Sequence, residues 1–472
     1  MYPDEPAADS PVTRRTSRRR LALIAVGVSV AVLLGVGAVA YAMRPGGESP
    51  APASAAGEGA DAGADPASPG ASGEASAITG SAALGQATGP CGRAAAGSPV
   101  VKVTEVKVGA AVTGYGREGD TDPLPMAVAA TPEGGSWLAW LGTGGKVYLG
   151  RLDCNDQLVG TPTSFDGIDL QDVYADAGGG ALLLTRKGTC NTGPLCGGSS
   201  SPCNTMHLIR FDTAGKQVWE RQVTNLTGGR GGYDDGARFV WWYQHHGRIA
   251  SDGKTFAAYF GVAITVKNGN CVDIHEGDRM QVVGADGALV SGHRDSFEVG
   301  CSHSWGTRIV WDPRVSRYVM VCATDNNCRI AQPHPYRTVA AGTCDGTLFG
   351  GDLVLAKGQG YWTAWSQGGQ VRLERFTTGA STSTIRTGAA SSHPHLVTYG
   401  ANRMLLSWES GSQMSAQVYD SGTGGTVGAR FTIGVRDHSF QAFKAYPDGS
   451  AAYPAAGSSS TTIKIARVMP MA

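Results

Sequence analysis

The stretch WLAWLGTGGKVYLGRLD, residues 137–153, decides the fold class of this 472-residue chain. It joins two short apolar runs through a glycine-rich turn, which is the pattern of a β-hairpin. Comparable units recur to the end of the chain. They begin near Trp137, Ala181, Phe256, Ile309, Tyr361, Met404 and Ala442. After Cys91 no segment of useful length has helical periodicity, so we predict that this region is all-β.

The spacing of these units predicts the architecture. Successive starting points lie 44, 75, 53, 52, 43 and 38 residues apart, which brackets the about 40 to 50 residues of a β-propeller blade. We therefore predict a seven-bladed β-propeller, in which four-stranded sheets surround a central channel. The alternating run at residues 100–108 is predicted to be the outer strand of the last blade and to close the ring. Six or eight blades and a pair of β-sandwiches are the alternatives.

Residues 21–43, LALIAVGVSVAVLLGVGAVAYAM, carry no charge. A helix of this length spans roughly 34 Å, enough to cross the hydrocarbon core of a bilayer. Five arginines between residues 14 and 20 favour a cytoplasmic N-terminus. We predict a cytoplasmic basic tail at 1–20 and a transmembrane signal-anchor helix at 21–43. The alternative is a twin-arginine-like export signal cleaved near Ala42, which would release a secreted protein.

Residues 44–90 consist mainly of Ala, Gly, Ser and Pro. Such a segment cannot bury an apolar face, so we predict a disordered linker. Its root-mean-square reach is roughly 35 to 40 Å. The remaining residues, 91–472, are predicted to form an extracytoplasmic propeller domain that one helix holds near the cell membrane.

The charge balance bears on the partner. After residue 44 the chain holds 33 basic and 36 acidic side chains. Nucleic-acid binding requires a concentrated basic face, so we predict no nucleic-acid partner. The partners expected for an exported propeller are a cell-envelope protein or glycan.

All ten cysteines lie after residue 90. An even number outside the reducing cytoplasm favours disulfides, and the absence of a Cys-x-x-Cys motif argues against a zinc finger or ribbon. Spacing alone does not determine connectivity. Short loops favour the pairs Cys322 with Cys328, Cys190 with Cys203 or Cys196, and Cys271 with Cys301.

Two short segments carry a family resemblance. Residues 275–279 read HEGDR, residues 301–304 read CSHS, and Arg308 follows. In these segments the chain resembles exported bacterial β-propeller proteins of uncharacterised function. The resemblance covers about 40 residues, and elsewhere only the repeat spacing agrees. It implies a fold and a location outside the cytoplasm, and it implies no activity.

Polar candidates for a site concentrate between residues 245 and 311, which contain five of the ten histidines. The binding candidates are His275, Asp278, His303, Arg308, Trp241 and Trp242. Imidazole and carboxylate together are also the donors that zinc and other transition metals use. If a metal is bound, its predicted ligands are His275, Asp278, His293 and His303. The alternatives for these side chains are hydrogen bonding between blades and catalysis.

Neither the aromatic nor the hydroxyl residues decide between these alternatives. Trp241 and Trp242 can form a stacking platform for a sugar ring or a peptide, or they can pack within a blade. Gly-x-Ser-x-Gly is absent, and we assign no catalytic residue. Residues 251–256, SDGKTF, resemble part of the Asp-box turn of sialidase-type propellers, but Ser251 replaces the defining aspartate.

We therefore predict a membrane-anchored extracytoplasmic β-propeller that binds an envelope protein or glycan. The alternative is an envelope hydrolase or lyase with a histidine and carboxylate site at the channel. Convergence of His275, Asp278, His303 and Arg308 on the channel would support that enzyme, and burial between blades would remove it. A structural spacer in envelope assembly is a third interpretation, and it predicts no converging polar groups.

Overall fold

The computed structural model describes most of the chain after residue 90. The described residues are 91–114, 125–200, 202–224, 236–239, 246–290, 296–299, 301, 304–324, 328–334, 336–377, 381–437 and 440–472. The predicted tail, membrane helix and linker at 1–90 lie outside them. Within the described part of the chain, no helix is long and apolar enough to span a bilayer.

The strands form seven antiparallel sheets, so the predicted seven-bladed all-β propeller is confirmed. Strand β1 (Val101–Lys107) precedes the first blade. Blade 1 comprises β2 (Met126–Ala130), β3 (Ser136–Gly142), β4 (Lys146–Leu152) and β5 (Leu158–Asp166). Blade 2 comprises β6 (Asp172–Ala175), β7 (Ala181–Asn191), β8 (Pro202–Phe211) and β9 (Gln217–Gln222). Blade 3 comprises β10 (Gly236–Phe239), β11 (Arg248–Ser251), β12 (Thr255–Asn268), β13 (Cys271–Gly284) and β14 (Ser296–Val299).

The second half of the ring continues the same order. Blade 4 comprises β15 (Ser304–Asp312), β16 (Arg317–Thr324), β17 (Arg329–Pro333) and β18 (Tyr336–Ala341). Blade 5 comprises β19 (Phe349–Leu355), β20 (Tyr361–Gln367), β21 (Gln370–Phe376) and β22 (Ser381–Ala390). Blade 6 comprises β23 (Pro394–Tyr399), β24 (Arg403–Ser410), β25 (Gln413–Asp420) and β26 (Thr426–Thr432). Blade 7 comprises β27 (Lys444–Ala445), β28 (Ala451–Ala456), β29 (Thr462–Val468) and, from the start of the domain, β1.

The innermost strands surround the channel. They contact one another in a closed ring, in the order β2, β6, β11, β15, β19, β23 and β27. Because the strands within a blade are antiparallel, all the innermost strands begin at one face of the ring, which we call the upper face. The turn after each innermost strand then lies at the opposite face, which we call the lower face.

Burial follows the position of a strand in its blade. Every residue of β3 and β20 is buried, because the middle of each blade is covered by a neighbour on both sides. The outer strand β5 contains no buried residue. Contacts between blades include the Trp137 indole, whose Nε1 donates to the Gly179 carbonyl of blade 2 at 2.9 Å. These packed faces explain the near-continuous apolar runs in the sequence.

The predicted closure of the ring is also confirmed. Strand β1 pairs with β29 over its full length, from Val101 opposite Val468 to Lys107 opposite Thr462. The chain therefore closes by hydrogen bonding its first described strand to its last, and β1 becomes the outer edge strand of blade 7.

The repeat units identified in the sequence begin one strand late in several blades. Trp137 and Ala181 lie in second strands, β3 and β7. The innermost strands that precede them are short, with five residues in β2 and four in β6. Such runs give little periodic signal. The widest interval, from Ala181 to Phe256, contains β7 to β11, including the long strands β7 and β8 of 11 and 10 residues.

All ten cysteines are paired, as the compositional argument predicted. The five disulfides are Cys91–Cys154, Cys190–Cys203, Cys196–Cys271, Cys301–Cys322 and Cys328–Cys344. Five disulfides indicate an oxidising, extracytoplasmic environment. One predicted pair, Cys190 with Cys203, is confirmed, since these residues face each other across β7 and β8.

The other two predicted pairs are wrong. Cys322 lies in register with Ala331, so Cys328 falls at the hairpin turn and bonds Cys344 instead. Cys322 bonds Cys301. Cys271 bonds Cys196 of blade 2, where the adjacent residues Leu195 and Val272 form a β-bridge. Short sequence separation failed as a guide because strand register and blade contact determine which sulfurs meet.

Candidate functional site

Six ionisable side chains from the innermost strands meet near the upper end of the channel. We call them the channel ring: Asp172, Arg248, Arg308, Asp352, His395 and Lys444. They come from blades 2 to 7. Short innermost strands that all begin at one face bring these side chains together although up to 272 residues separate a contacting pair.

Two aspartates of the ring act in the same way. An amide near the start of the next innermost strand needs an acceptor, because an innermost strand has no ladder partner on its channel side. Asp172 Oδ2 accepts from the Ile249 amide at 2.9 Å. Asp352 Oδ2 accepts from the Leu396 amide at 3.2 Å. Each carboxylate therefore fixes the following blade and directs its other oxygen to a cation.

The cations paired with these two aspartates differ in the distance between the blades that they join. Lys444 Nζ lies 2.6 Å from Asp172 Oδ1, which joins blade 7 to blade 2 across the front of blade 1. Arg308 Nε donates to Asp352 Oδ1 at 2.7 Å between adjacent blades. The Lys444 side chain remains 21% exposed and that of Arg308 only 4% exposed. Lys444 is thus the more accessible of the two paired cations of the ring.

Arg248 has a different environment. It is 5% exposed, and its two terminal nitrogens donate only to carbonyl oxygens. These acceptors are Gln171, Gly247, Phe440 and Gln441. Its Nε has no hydrogen-bond partner, and among the described residues no carboxylate forms an ion pair with it. A guanidinium this deeply buried without an anion leaves positive charge at the channel.

The electrostatics of the ring agree with that geometry. Burial and the like charge of Arg248 lower the pKa of Arg308 to about 10. Burial alone would raise the pKa of Asp352, but Arg308 and the hydrogen bond with His395 outweigh it and hold that pKa well below its usual range. Asp352 is therefore ionised at neutral pH, and the Arg308–Asp352 pair is internally balanced.

His395 links the ring to a second polar group on the upper face. Its Nδ1 lies 3.6 Å from Asp352 Oδ2, and its Nε2 lies 2.7 Å from Asp437 Oδ1. Burial opposes protonation here, but the flanking carboxylates of Asp437 and Asp352 raise the pKa of His395 to about 9. The imidazole is thus a cation between two carboxylates.

Near Asp437 lie two further metal-type donors, His393 and Glu409. One ligand atom from each of the three residues lies within 4.8 Å of the others. Asp278 forms a similarly close group with Cys301 and Cys322. Those sulfurs are joined in a disulfide, so they are not thiolate ligands.

The structure places the predicted site residues in different parts of the molecule. Arg308 belongs to the channel ring. Asp278 is fully buried in β13, the third strand of its blade, where the Tyr259 hydroxyl donates to it at 3.0 Å. Asp278 thus lies between blades 3 and 4, beside the Cys301–Cys322 disulfide, since Cys322 belongs to β16 of blade 4. His275 occupies the position of β13 opposite Ile264. Trp241, Trp242, His293 and His303 lie outside the described residues.

Five members of the channel ring were missed by the sequence analysis: Asp172, Arg248, Asp352, His395 and Lys444. The sequence nevertheless contains a pattern that could have identified them. Each precedes, within a few residues, a tight turn and a long apolar strand, as in DVYADAGGGALLL at residues 172–184 and DLVLAKGQGYWTAW at residues 352–365. Aligning the units on their innermost strands would have placed these charged residues at corresponding positions.

A cavity of about 580 Å³ also opens on the lower face, between the outer hairpins of blades 1 and 2. Its lining includes Trp137, Arg151 and Gly215. The Trp137 ring is buried, and the Arg151 guanidinium lies 4.7 Å from its centroid. The cavity therefore offers no exposed aromatic platform to a sugar ring.

No protein-family model matches the chain, and no curated protein matches it. Solved structures with similar folds include a protein of unknown function from Dyadobacter fermentans, with 12% identity and a TM-score of 0.42, over 78% of this chain and 99% of that one. The β-propeller domain of Cps50 (Swd1) from Myceliophteria thermophila has 13% identity and a TM-score of 0.42, with the same coverage. A protein from Lactobacillus plantarum has 11% identity and a TM-score of 0.43, over 68% of this chain and 87% of that one. The architecture assigned above rests on the sheet topology of the chain itself.

Proposed function

We propose that this protein is an extracytoplasmic binding propeller that recognises an acidic group of a cell-envelope protein or glycan at the upper end of its channel. The observation that carries the proposal is Arg248. Its four terminal N–H groups donate to carbonyl oxygens, which leaves the Nε–H without a partner, and the buried charge without a paired carboxylate, among the described residues. A charge-assisted hydrogen bond from Nε to a carboxylate or phosphate would satisfy both.

The surroundings of Arg248 strengthen this proposal. Asp172 is paired with Lys444 and Asp352 with Arg308, so the two aspartates of the ring are already neutralised. Among the described ring members the three fixed cations thus outnumber the two aspartates. An acidic ligand group that enters beside Lys444 would meet this positive charge in a site of low dielectric constant, where Coulomb attraction is strong.

The upper face is also reinforced in the way that a binding surface requires. The hairpins of blades 2, 3 and 4 on this face carry the disulfides Cys190–Cys203, Cys196–Cys271 and Cys328–Cys344. Loops that are ordered before binding lose less conformational entropy when the ligand arrives. The proposed mechanism is therefore recognition by a rigid surface.

The second half of the proposal concerns location. We propose that residues 21–43 anchor the protein in the cell membrane with its N-terminus in the cytoplasm, and that the segment 44–90 tethers the propeller. The uncharged run, the preceding arginines and the oxidised cysteines support this arrangement. Protease protection of the N-terminus in sealed cells, with the propeller accessible from outside, is the test.

One residue that the hydrolase alternative requires at the channel does not lie there. This alternative required Asp278 at the channel together with His275, His303 and Arg308, but Asp278 is buried between blades 3 and 4. Asp352, the carboxylate nearest Arg308, is engaged by Arg308 and the Leu396 amide. We therefore favour binding over turnover.

The binding test uses the full chain and isolated envelope separated into wall-glycan and protein fractions. We expect saturable retention on one fraction that falls at high salt. Amidation of the carboxylates of that fraction, or removal of its phosphates, should abolish retention and so identify the acidic group. Retention that survives both treatments would refute the proposal, as would the absence of retention on every fraction.

A matched pair of variants locates the site. Arg248→Lys keeps the charge but removes the unpartnered Nε donor, and we expect at least tenfold weaker binding. Arg314→Lys makes the same change at the lower face, where Arg314 pairs with Asp312. We expect that control to bind as the wild type does. Equal binding by both variants would remove the channel from the proposal.

A further inference from the structure

We propose that the upper face of blade 6 holds a divalent metal ion, with His393, Glu409 and Asp437 as its protein ligands. The site differs from the one that the sequence predicted at residues 275–303, and it stands independently of the acidic ligand proposed above. Zinc is the metal that this set of donors favours, because it combines one imidazole nitrogen with carboxylate oxygens.

The three ligands come from separate segments that the blade topology brings together. His393 immediately precedes β23, Glu409 is next to the last residue of β24, and Asp437 follows β26 in the connection to blade 7. His393 Nδ1 lies 3.7 Å from Glu409 Oε2. Because β23 and β24 are antiparallel neighbours, the start of one and the end of the other lie at the same face.

Spacing of the donors is close to that of a bound ion. One donor atom from each residue lies within 4.8 Å of the others. Ligands of one zinc ion, at metal–ligand distances of about 2.0 to 2.2 Å, lie no more than about 4 Å apart. The three donors thus need to close by less than about 1 Å, which rotation of two partly exposed side chains supplies.

Supporting contacts hold the ligands in orientation. The Asp437 carboxylate receives His395 Nε2 at 2.7 Å and the Tyr453 hydroxyl at 3.2 Å, both at Oδ1. The His393 ring packs edge-on against Phe349, with the centroids 4.8 Å apart. Hydrogen bonds to a ligating carboxylate and packing of a ligating imidazole are the usual second layer of a metal centre.

The site is also open to solvent on one side. The side chains of His393 and Glu409 are 30% and 40% exposed. A metal held by three protein ligands at such a surface completes its coordination with water. The ion can therefore enter without unfolding the blade.

A second histidine and carboxylate pair in blade 2 provides the matched control. His207 Nδ1 lies 2.7 Å from Glu220 Oε1, but Lys187 Nζ lies 2.6 Å from the other oxygen of the same carboxylate. The ammonium group takes the place that a metal ion would occupy. We therefore expect no metal at His207, although it has the same two residue types in contact.

The experiment measures zinc bound to the full chain after treatment with chelator and dialysis against zinc chloride, by elemental analysis and calorimetry. We expect about one equivalent of zinc in the wild type. Glu409→Gln and His393→Ala should each weaken binding at least tenfold, and His207→Ala should bind as the wild type does. Loading with cobalt should give visible absorption bands that His393→Ala removes.

Several outcomes would overturn the proposal. These are absence of stoichiometric zinc in the wild type, unchanged binding in both Glu409→Gln and His393→Ala, and loss of binding in His275→Ala or His303→Ala in place of His393→Ala. Circular dichroism and thermal melting of each metal-free variant separate loss of the site from loss of the fold. If a variant does not fold, the cobalt spectrum of the wild type, with or without imidazole coordination, decides the question.

Discussion

The two faces of the propeller use the same residue types for different purposes. At the lower face, buried arginines are balanced by carboxylates: Arg467 by Asp156 and Arg93 by Asp448. At the upper end of the channel, Arg248 is buried to a similar degree and bonds only carbonyl oxygens. A buried arginine that is paired with a carboxylate therefore has a structural role, whereas one without such a pair is a candidate binding group. The comparison teaches that the presence of a paired carboxylate, more than the residue type, distinguishes the two roles.

The buried ion pairs of the lower face lie where the ring closes, between blades 7 and 1. Arg467 belongs to blade 7 and Asp156 to the outer turn of blade 1, and both side chains are at most 1% exposed. The same seam contains the Cys91–Cys154 disulfide and the Arg93–Asp448 pair. Blades 7 and 1 are thus joined by ionic and covalent links in addition to the hydrogen bonds of β1.

The largest expected effect tests that seam. Arg467→Met leaves Asp156 buried without its partner, and breaking a buried pair in this way costs about 3 to 5 kcal/mol of unfolding free energy. Urea denaturation measures it. The double variant Arg467→Met with Asp156→Leu removes both charges and should recover most of the loss. If the single variant is as stable as the wild type, the pair does not hold the seam.

The second effect concerns the covalent link. Replacement of Cys91 and Cys154 by serine removes a cross-link between residues 63 apart, and we expect a loss of about 2 to 4 kcal/mol. Replacement of Cys190 and Cys203, only 13 apart, should cost about 1 kcal/mol less, because a shorter loop restricts the unfolded chain less. The reverse order in chemical denaturation would show that native contacts outweigh loop length.

A third prediction addresses the upper end of the channel. Arg248→Met removes a charge that forms no ion pair with a described carboxylate and interacts with Asp352 only at longer range, so the main loss is that of its hydrogen bonds to carbonyls. We expect a stability loss of about 1 to 2 kcal/mol, smaller than that of Arg467→Met, together with loss of envelope binding. Parallel urea titrations compare this loss with that of Arg467→Met. Equal losses would show that Arg248 has a structural role like that of Arg467, and the two faces would then not differ in this respect.

The last prediction is a dependence of stability on pH at Asp352, which is expected only below about pH 4. Its native pKa is depressed below the value of about 3.9 in an unfolded chain. The resulting stability is present above that unfolded value and is lost as the pH falls through the native pKa. Below about pH 4 the wild type should therefore lose stability up to about 1.4 kcal/mol per pH unit faster than Asp352→Asn. Parallel slopes in unfolding titrations between pH 5 and 2 would contradict the assignment.

Much of the fold could be predicted from the sequence because it depends on long-range repetition of strong local patterns. Second strands such as β3 and β20 are buried throughout, so their apolar runs stand out at blade spacing. The alternating β1 could be assigned to the closing position because the last blade lacked an outer strand. Cysteine count predicted the oxidised state, but pairing followed strand register, which spacing does not encode.

The channel ring was hidden for the opposite reason. Its residues lie in innermost strands as short as two residues, as in β27, and a lone charge there resembles an ordinary loop residue. The dense histidine segment drew attention to Asp278, which is buried between blades 3 and 4. His393, Glu409 and Asp437 are up to 44 residues apart in sequence, so only the return of the chain to the upper face brings them together.

The position of Cys91 has a mechanical consequence. It precedes β1 and is bonded to Cys154 in the outer turn of blade 1. A pulling force applied from the N-terminal side would therefore pass through a covalent bond into blade 1 before it loads the hydrogen bonds between β1 and β29. As long as that bond is oxidised, tension on the chain cannot peel β1 from the ring. Reduction would move the load onto β1, so the thiol–disulfide state sets the force at which the ring opens.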